Sequence, residues 1–154
     1  MRKIQHGMVF SFAVFLLLAG CSQVIVSDTE VPRMTKEELK SLLGNPGIVV
    51  VDVRIADDWK RSDSKIKGAI RENPEKDYRT WTSKYPRDRT LVFYCAWPDE
   101  ATSAWMAQQF ISMGYPKVFA TKGGWNEWYK ADYPVWTQMK PEFPFLLYPP
   151  GYDS

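Results

Sequence analysis

Histidine is almost missing from this 154-residue chain and cysteine is scarce: His6 is the one histidine, and Cys21 and Cys95 are the two cysteines. His6 lies in an N-terminal stretch that reads as an export signal. Arg2 and Lys3 precede an apolar run from Met8 to Ala19, broken only by Ser11, and positions 1–20 hold no acidic residue. A charged start followed by an apolar run of that length suits a signal peptide and is short for a membrane-spanning helix. Removal of residues 1–20 takes away the only imidazole. That excludes His-based acid–base catalysis, Ser-His-Asp and Cys-His nucleophile pairs, and His-ligated zinc. The 20 Lys+Arg exceed the 18 Asp+Glu by the two leader residues Arg2 and Lys3, so the processed chain is formally neutral. Without a basic excess it does not read as a nucleic-acid binder. What remains is about one domain's worth of chain, long enough for a real core.

The apolar run ends in Leu18-Ala19-Gly20-Cys21. This resembles the lipobox of bacterial lipoproteins, and the resemblance implies that Cys21 is lipidated and becomes the first residue of the processed protein. Several acyl chains on one cysteine anchor a protein stably. The expected location is the bacterial cell envelope, facing the periplasm. Ser22, standing where an Asp would retain a lipoprotein in the inner membrane, points to the outer membrane if the cell is Gram-negative. Lipidation of Cys21 leaves Cys95 as the only free thiol, with no disulfide partner in its own chain.

The pattern divides the chain into a signal peptide (1–20), a lipidated tether (21–33), a domain (34–136) and a Pro/aromatic-rich tail (137–154). Thr35 with Glu38 three residues on is a capping box opening a short helix through Leu39, Leu42 and Leu43. The β-branched run Ile48–Val53 reads as a strand buried on both faces. Asp57–Trp59 starts a polar helical turn. Lys65–Ile70 looks extended, with Gly68 where backbone must pass closely. A small helix is expected around Tyr78–Tyr85 with Trp81 and Tyr85 inward. Thr90–Tyr94 is a second buried strand, ending at Cys95, and Ala96-Trp97-Pro98-Asp99-Glu100 forms a loop. A helix follows over 101–113 with Gly114 as its C-cap, then a strand at 117–120 and a last helix carrying Trp125, Trp128 and Tyr129. Strands alternating with helices at these spacings define an α/β class with a mostly parallel sheet. The seven tryptophans read mainly as core.

In open α/β sheets ligands bind beyond the carboxyl ends of the strands. A strand–Cys–loop–helix arrangement puts the Cys95 thiol there. The N–H groups of residues 96–101 and the start of the 101–113 helix would be aimed at it, favouring a thiolate or persulfide anion without any imidazole. The plain reading is a core cysteine at a strand end.

From about Glu38 to Val135 the chain resembles the single-domain rhodanese-like sulfurtransferases. The pieces are Val51-Asp52-Val53-Arg54, Ile66-Lys67-Gly68-Ala69-Ile70, Phe93-Tyr94-Cys95, Ala104 and Ala107, Gly114-Tyr115 with Val118, and Gly123-Gly124-Trp125 with Trp128. The resemblance implies an open, mostly parallel five-stranded sheet flanked by helices. It also implies that Cys95 takes sulfane sulfur from a small donor and passes it to a thiol or cyanide-like acceptor, with no cofactor or metal. Asp52 and Arg54 would be structural, Asp52 as a buried carboxylate paired with a basic neighbour.

The loop departs from the family's usual form, in which a basic residue five positions after the cysteine is followed by Ser or Thr. Glu100 and Ala101 stand at those positions, and Trp97-Pro98 replaces a small residue and Gly. Pro98 removes an N–H and Glu100 adds negative charge near the bound anion; both weigh against thiosulfate as donor. Glu100 is otherwise a first-turn acid complementing the helix dipole, and Asp99 a helix N-cap. Trp97 is either a lid or wall over the thiol or exposed packing surface. Lys122 is a candidate for the substrate rim, or simply an exposed lysine. No Arg follows Arg89, so the Cys-x5-Arg site of the related phosphatases is missing and phosphatase chemistry is not expected. The tail at 143–150 either packs back on the domain or docks a partner protein. Two alternatives to sulfur transfer remain: an inactive rhodanese-like module binding a partner at the membrane, and a redox sensor in which Cys95 is oxidised.

Overall fold

The computed structural model describes residues 30–137. The expected signal peptide, Cys21 and most of the tether, and all but the first residue of the tail, lie outside them. In chain order the elements are β1 (Arg33–Met34), α1 (Lys36–Leu42), β2 (Ile48–Asp52), α2 (Ala56–Arg61), β3 (Ser64–Ile66) and β4 (Ile70–Arg71). After a 3₁₀ turn at Tyr78–Trp81 come β5 (Thr90–Tyr94), α3 (Ala101–Ser112), β6 (Val118–Thr121), α4 (Gly124–Lys130) and β7 (Val135–Thr137). Five strands form one sheet in the order β1-β6-β5-β2-β4, and every pairing is parallel. The open five-stranded parallel architecture is thus the one expected.

The apolar runs explain the middle of the sheet. β2 and β5 pair along their whole length, Ile48 with Thr90 through Asp52 with Tyr94. Leu91 and Phe93 pack on one face with Met106, Ala107 and Phe110 of α3; Val92 and Tyr94 pack on the other with Leu39 of α1 and Trp125 and Trp128 of α4. A strand covered on both faces has no polar side to show, and its sequence becomes a continuous apolar run. The Thr35/Glu38 capping box forms, with both reciprocal hydrogen bonds present.

Several expectations need correction. Arg33 was read as tether and Met34 as the start of the domain; the two form β1, an edge strand against β6, and Val31 is already in the core. Thr137 was assigned to the tail, yet it closes β7, which runs antiparallel to β3 with Thr137 opposite Ser64. Lys65–Ile70 is two strands in two sheets, and Gly68 between them has φ +81° with open space around it. The glycine serves a left-handed turn there, with no close backbone passage. Trp81, Trp125 and Trp128 are core as expected, but Trp97, Trp105 and Trp136 are exposed.

Candidate active site

Parallel β2 and β5 end side by side, and the chain beyond them builds the site. At the base lies a charged network with no solvent contact. The Arg54 Nη2 donates to Asp52 Oδ2 at 2.6 Å and to the Ser64 carbonyl at 3.0 Å, while Nε donates to Asp52 Oδ1 at 3.0 Å. The Tyr94 hydroxyl donates to Asp52 Oδ2 at 2.7 Å and accepts from the Ile66 N–H. The guanidinium lies 4.6 Å from the Trp125 ring and 5.1 Å from that of Trp59. Burial of the phenol, reinforced by the Asp52 charge, pushes Tyr94 well above the ordinary tyrosine range. Breaking such a pair would strand a buried charge, so Asp52 and Arg54 clamp the ends of β2 and β5 just beneath Cys95. Their reading as a structural pair holds.

Cys95, the residue after β5, is 4 % exposed. Its peptide and the next are held from the far side by α4: the Trp125 N–H donates to the Cys95 carbonyl (2.8 Å) and the Asn126 N–H to the Ala96 carbonyl (3.1 Å). Because a trans peptide sets its N–H opposite its C=O, this turns the N–H groups of Ala96 and Trp97 away from α4. Among the described residues, the N–H groups of Ala96, Trp97 and Asp99 donate to no protein acceptor, and Pro98 has none. The Glu100 N–H is spent on the Trp97 carbonyl (3.1 Å), and the Ala101 N–H faces Asp99 Oδ1 at 3.4 Å. Three loop donors are therefore free.

Gly124 makes the α4 contact possible. Its φ is +57°, and a Cβ there would lie 2.7 Å from the Cys95 carbonyl oxygen and 3.0 Å from that of Trp97. Only glycine lets the two backbones approach so closely.

The contacts at the sulfur differ from those expected. Sγ lies 3.4 Å from the Ser103 hydroxyl and 3.9 Å from the Trp97 carbonyl, so it faces α3 where loop N–H groups were expected. Ser103 Oγ also donates to the Glu100 carbonyl at 3.0 Å, and that oxygen already accepts the Ala104 N–H. The serine can therefore turn its one proton to an anionic sulfur while the carbonyl keeps a donor. The family's hydroxyl was sought at Ala101; the residue beneath the sulfur is Ser103, two positions on. A signal for it was present: Ser103 falls at helical spacing with Met106, Ala107 and Phe110, a polar residue within the buried stripe of α3.

Glu100 does not face the thiol. It is the N-cap of α3, in a left-handed backbone conformation (φ 58°), and its carboxylate is buried. Oε1 accepts the Gly123 N–H at 2.8 Å and Oε2 pairs with Arg33 on β1. The charge expected beside the anion is neutralised by Arg33, on β1 and not in a tether. Asp99 is not the N-cap, although its carboxylate meets the first helical N–H.

Trp97 is 54 % exposed and walls a cleft of about 490 Å³ with Ala96, Trp125, Asn126 and Tyr129 on one side and Asp58–Ser64 residues on the other. A second cleft of about 340 Å³ lies across the loop, between Ile55, Pro74, Ala101 and Trp105. Lys122 belongs to neither. It lines a separate cleft with Thr35, Lys36 and Glu127, so the structure does not bring it to the rim beside Ala96 and Trp97. Among the described residues the one cation of the larger cleft, Arg61, is paired with Asp58.

A buried thiol at the end of a central parallel strand, opening a loop with free N–H groups, defines a site of the Cys-loop type on a rhodanese-like α/β fold. The rhodanese-like domain family model matches residues 35–131, and the chain belongs to that family. It is 24 % identical over 103 residues to the thiosulfate sulfurtransferase GlpE of Glaesserella parasuis, a match spanning 67 % of this chain and 91 % of the relative. Among solved structures it is similar to the BH2092 protein from Bacillus halodurans (TM-score 0.61, 26 % identity, 69 % of this chain and 77 % of that one). The rhodanese-like domain of the Anabaena Alr3790 protein shares the fold (TM-score 0.60, 24 % identity, covering 80 % and 88 %).

Proposed function

We propose that this chain is an envelope-anchored sulfurtransferase or sulfur carrier that moves sulfane sulfur through a persulfide on Cys95. The observation that carries the reading is the thiol held against Ser103 at the end of β5, at the start of a loop with three uncommitted N–H groups. The Cys95 thiolate attacks the outer sulfur of a donor. The new S–S bond forms as the donor's bond to that sulfur breaks, and the leaving group departs with the electron pair, as sulfite from thiosulfate or as a thiolate from a polysulfide. An acceptor thiolate then attacks the outer sulfur and Cys95 leaves as thiolate. In the loaded state the outer sulfur carries the negative charge, and the N–H groups of Ala96, Trp97 and Asp99 are the donors on hand for it.

Charge favours a donor other than thiosulfate. Glu100 is neutralised by Arg33, which removes one objection, but no free cation lines the clefts beside the loop among the described residues. A dianion would rely on backbone dipoles alone, so a polysulfide or a thiol-borne sulfane sulfur fits better. The Leu18–Cys21 lipobox supports anchoring in the envelope.

Mass spectrometry after incubation with thiosulfate or with a polysulfide tests the proposal. A single added sulfur on Cys95 is expected, faster with polysulfide and absent in Cys95→Ser. A folded protein that takes no sulfur from either donor would overturn it in favour of a partner-binding module.

A further inference from the structure

The larger cleft beside the active-site loop has an occupant within this chain. We propose that the segment Pro141–Pro150 docks in it and covers the exposed indole of Trp97. The direction of β7 is the first observation. Thr137 pairs antiparallel with Ser64, so β7 ends beside the start of β3, next to Asp63, Ser62 and Arg61. Those three residues line the cleft, as do Ser64 and Asp58. Ser64, opposite Thr137, is itself a cleft residue, and three further residues have a reach of about 10 Å, enough for residue 141 to enter the cleft.

Its walls are the second observation. Trp97 and Tyr129 are 54 % and 59 % exposed, and Trp125, packed against Tyr129, lines the cleft with them. Large aromatic faces left to solvent around a concave site mark a binding surface. The segment arriving there reads Pro-Glu-Phe-Pro-Phe-Leu-Leu-Tyr-Pro-Pro. Four prolines remove N–H groups that a strand would need, while Phe143, Phe145, Leu146, Leu147 and Tyr148 offer apolar surface. Extended proline-rich segments dock in aromatic-lined grooves in this way. A cleft of about 490 Å³ takes a few such side chains and no more, which suits a short segment. The docking stands whether or not Cys95 carries sulfur.

Hydrogen exchange read by mass spectrometry on the full chain, in mild detergent, tests the proposal. The comparison is with the variant Phe143→Ala/Phe145→Ala/Leu147→Ala. Amides of residues 58–64 are expected to exchange at least threefold faster in the variant, while those of β5 stay unchanged and report an intact fold. If the triple variant loses β5 protection, Tyr129→Ala, altering an exposed wall of the cleft, is expected to give the same acceleration at 58–64. Equal exchange at 58–64 in the wild type and the folded variant would overturn the proposal. Protection that rises with protein concentration, together with dimers in sedimentation, would overturn it too, placing the tail in the cleft of a second copy.

Discussion

Replacing Gly124 with alanine tests whether the close approach of α4 builds the active-site loop. Two costs can be separated. The first is conformational: an L-residue held at φ +57° costs about 1–2 kcal/mol. The second is local to the site. The added Cβ would lie 2.7 Å from the Cys95 carbonyl oxygen and 3.0 Å from the Trp97 oxygen, both backbone atoms with no rotamer to escape into. Relief requires the loop and α4 to separate, which weakens the bonds from the Trp125 and Asn126 N–H groups at about 1 kcal/mol each. The total is about 3–4 kcal/mol. Gly68→Ala supplies the control, because φ there is +81° but nothing lies within 4 Å of the added Cβ. It should cost only the conformational part, about 1–2 kcal/mol. Urea unfolding monitored by tryptophan fluorescence gives both values, and sulfur loading of Cys95 is followed by mass spectrometry in the absence of urea. The Gly124 variant is expected to be about 2 kcal/mol less stable than the Gly68 variant and to load at least tenfold more slowly. Equal losses of stability in the two variants, or wild-type loading in Gly124→Ala, would refute the reasoning.

Two further outcomes follow from the site. Ser103→Ala removes the only side-chain hydroxyl at the sulfur among the described residues, and a hydrogen bond to a charged group is worth about 1.5–3 kcal/mol. Loading of Cys95 should slow about ten- to a hundredfold, with Ser103→Thr recovering part of the rate; unchanged loading in the alanine variant would remove Ser103 from the chemistry. Thermal stability should also fall steeply as the pH rises above about 10. Tyr94 is raised by burial and by Asp52, and Tyr85 by burial and by Glu72, so both stay protonated in the folded protein after they ionise in the unfolded chain. The unfolded state then binds fewer protons, and stability present below the ordinary tyrosine range is lost above it. Tyr85→Phe should flatten the decline in Tm between pH 9 and 11.5, and a wild-type Tm that is level over that range would contradict the assignment.

The middle of the fold was legible because its causes are local. Two apolar runs make the doubly covered strands, Thr35 and Glu38 cap their own helix, and Cys95 sits at a strand end by simple counting. What escaped depends on distant partners. β1 has two residues and β7 three, and neither carries a periodic pattern; each exists because a remote strand offers a free edge. Glu100 looked like a charge beside the anion because its partner, Arg33, is 67 residues away in a stretch without pattern. Ser103 is legible in the sequence only through the buried stripe of α3, since counting from Cys95 points to Ala101.

The Arg33–Glu100 pair also decides where this protein can be cut. The family match begins at residue 35 and ends at 131, a natural choice of fragment by pattern. Such a fragment keeps Cys95, Ser103 and the whole loop, yet it discards the guanidinium that answers the Glu100 carboxylate and the strand that carries it. It also discards β7 and so bares one side of β3, the strand whose Ser64 carbonyl holds Arg54. The smallest piece that keeps Glu100 paired and β3 covered therefore extends beyond the recognisable homology at both ends, from Val31 to Thr137. Pattern marks what relatives share; the partners of buried groups mark what must stay together.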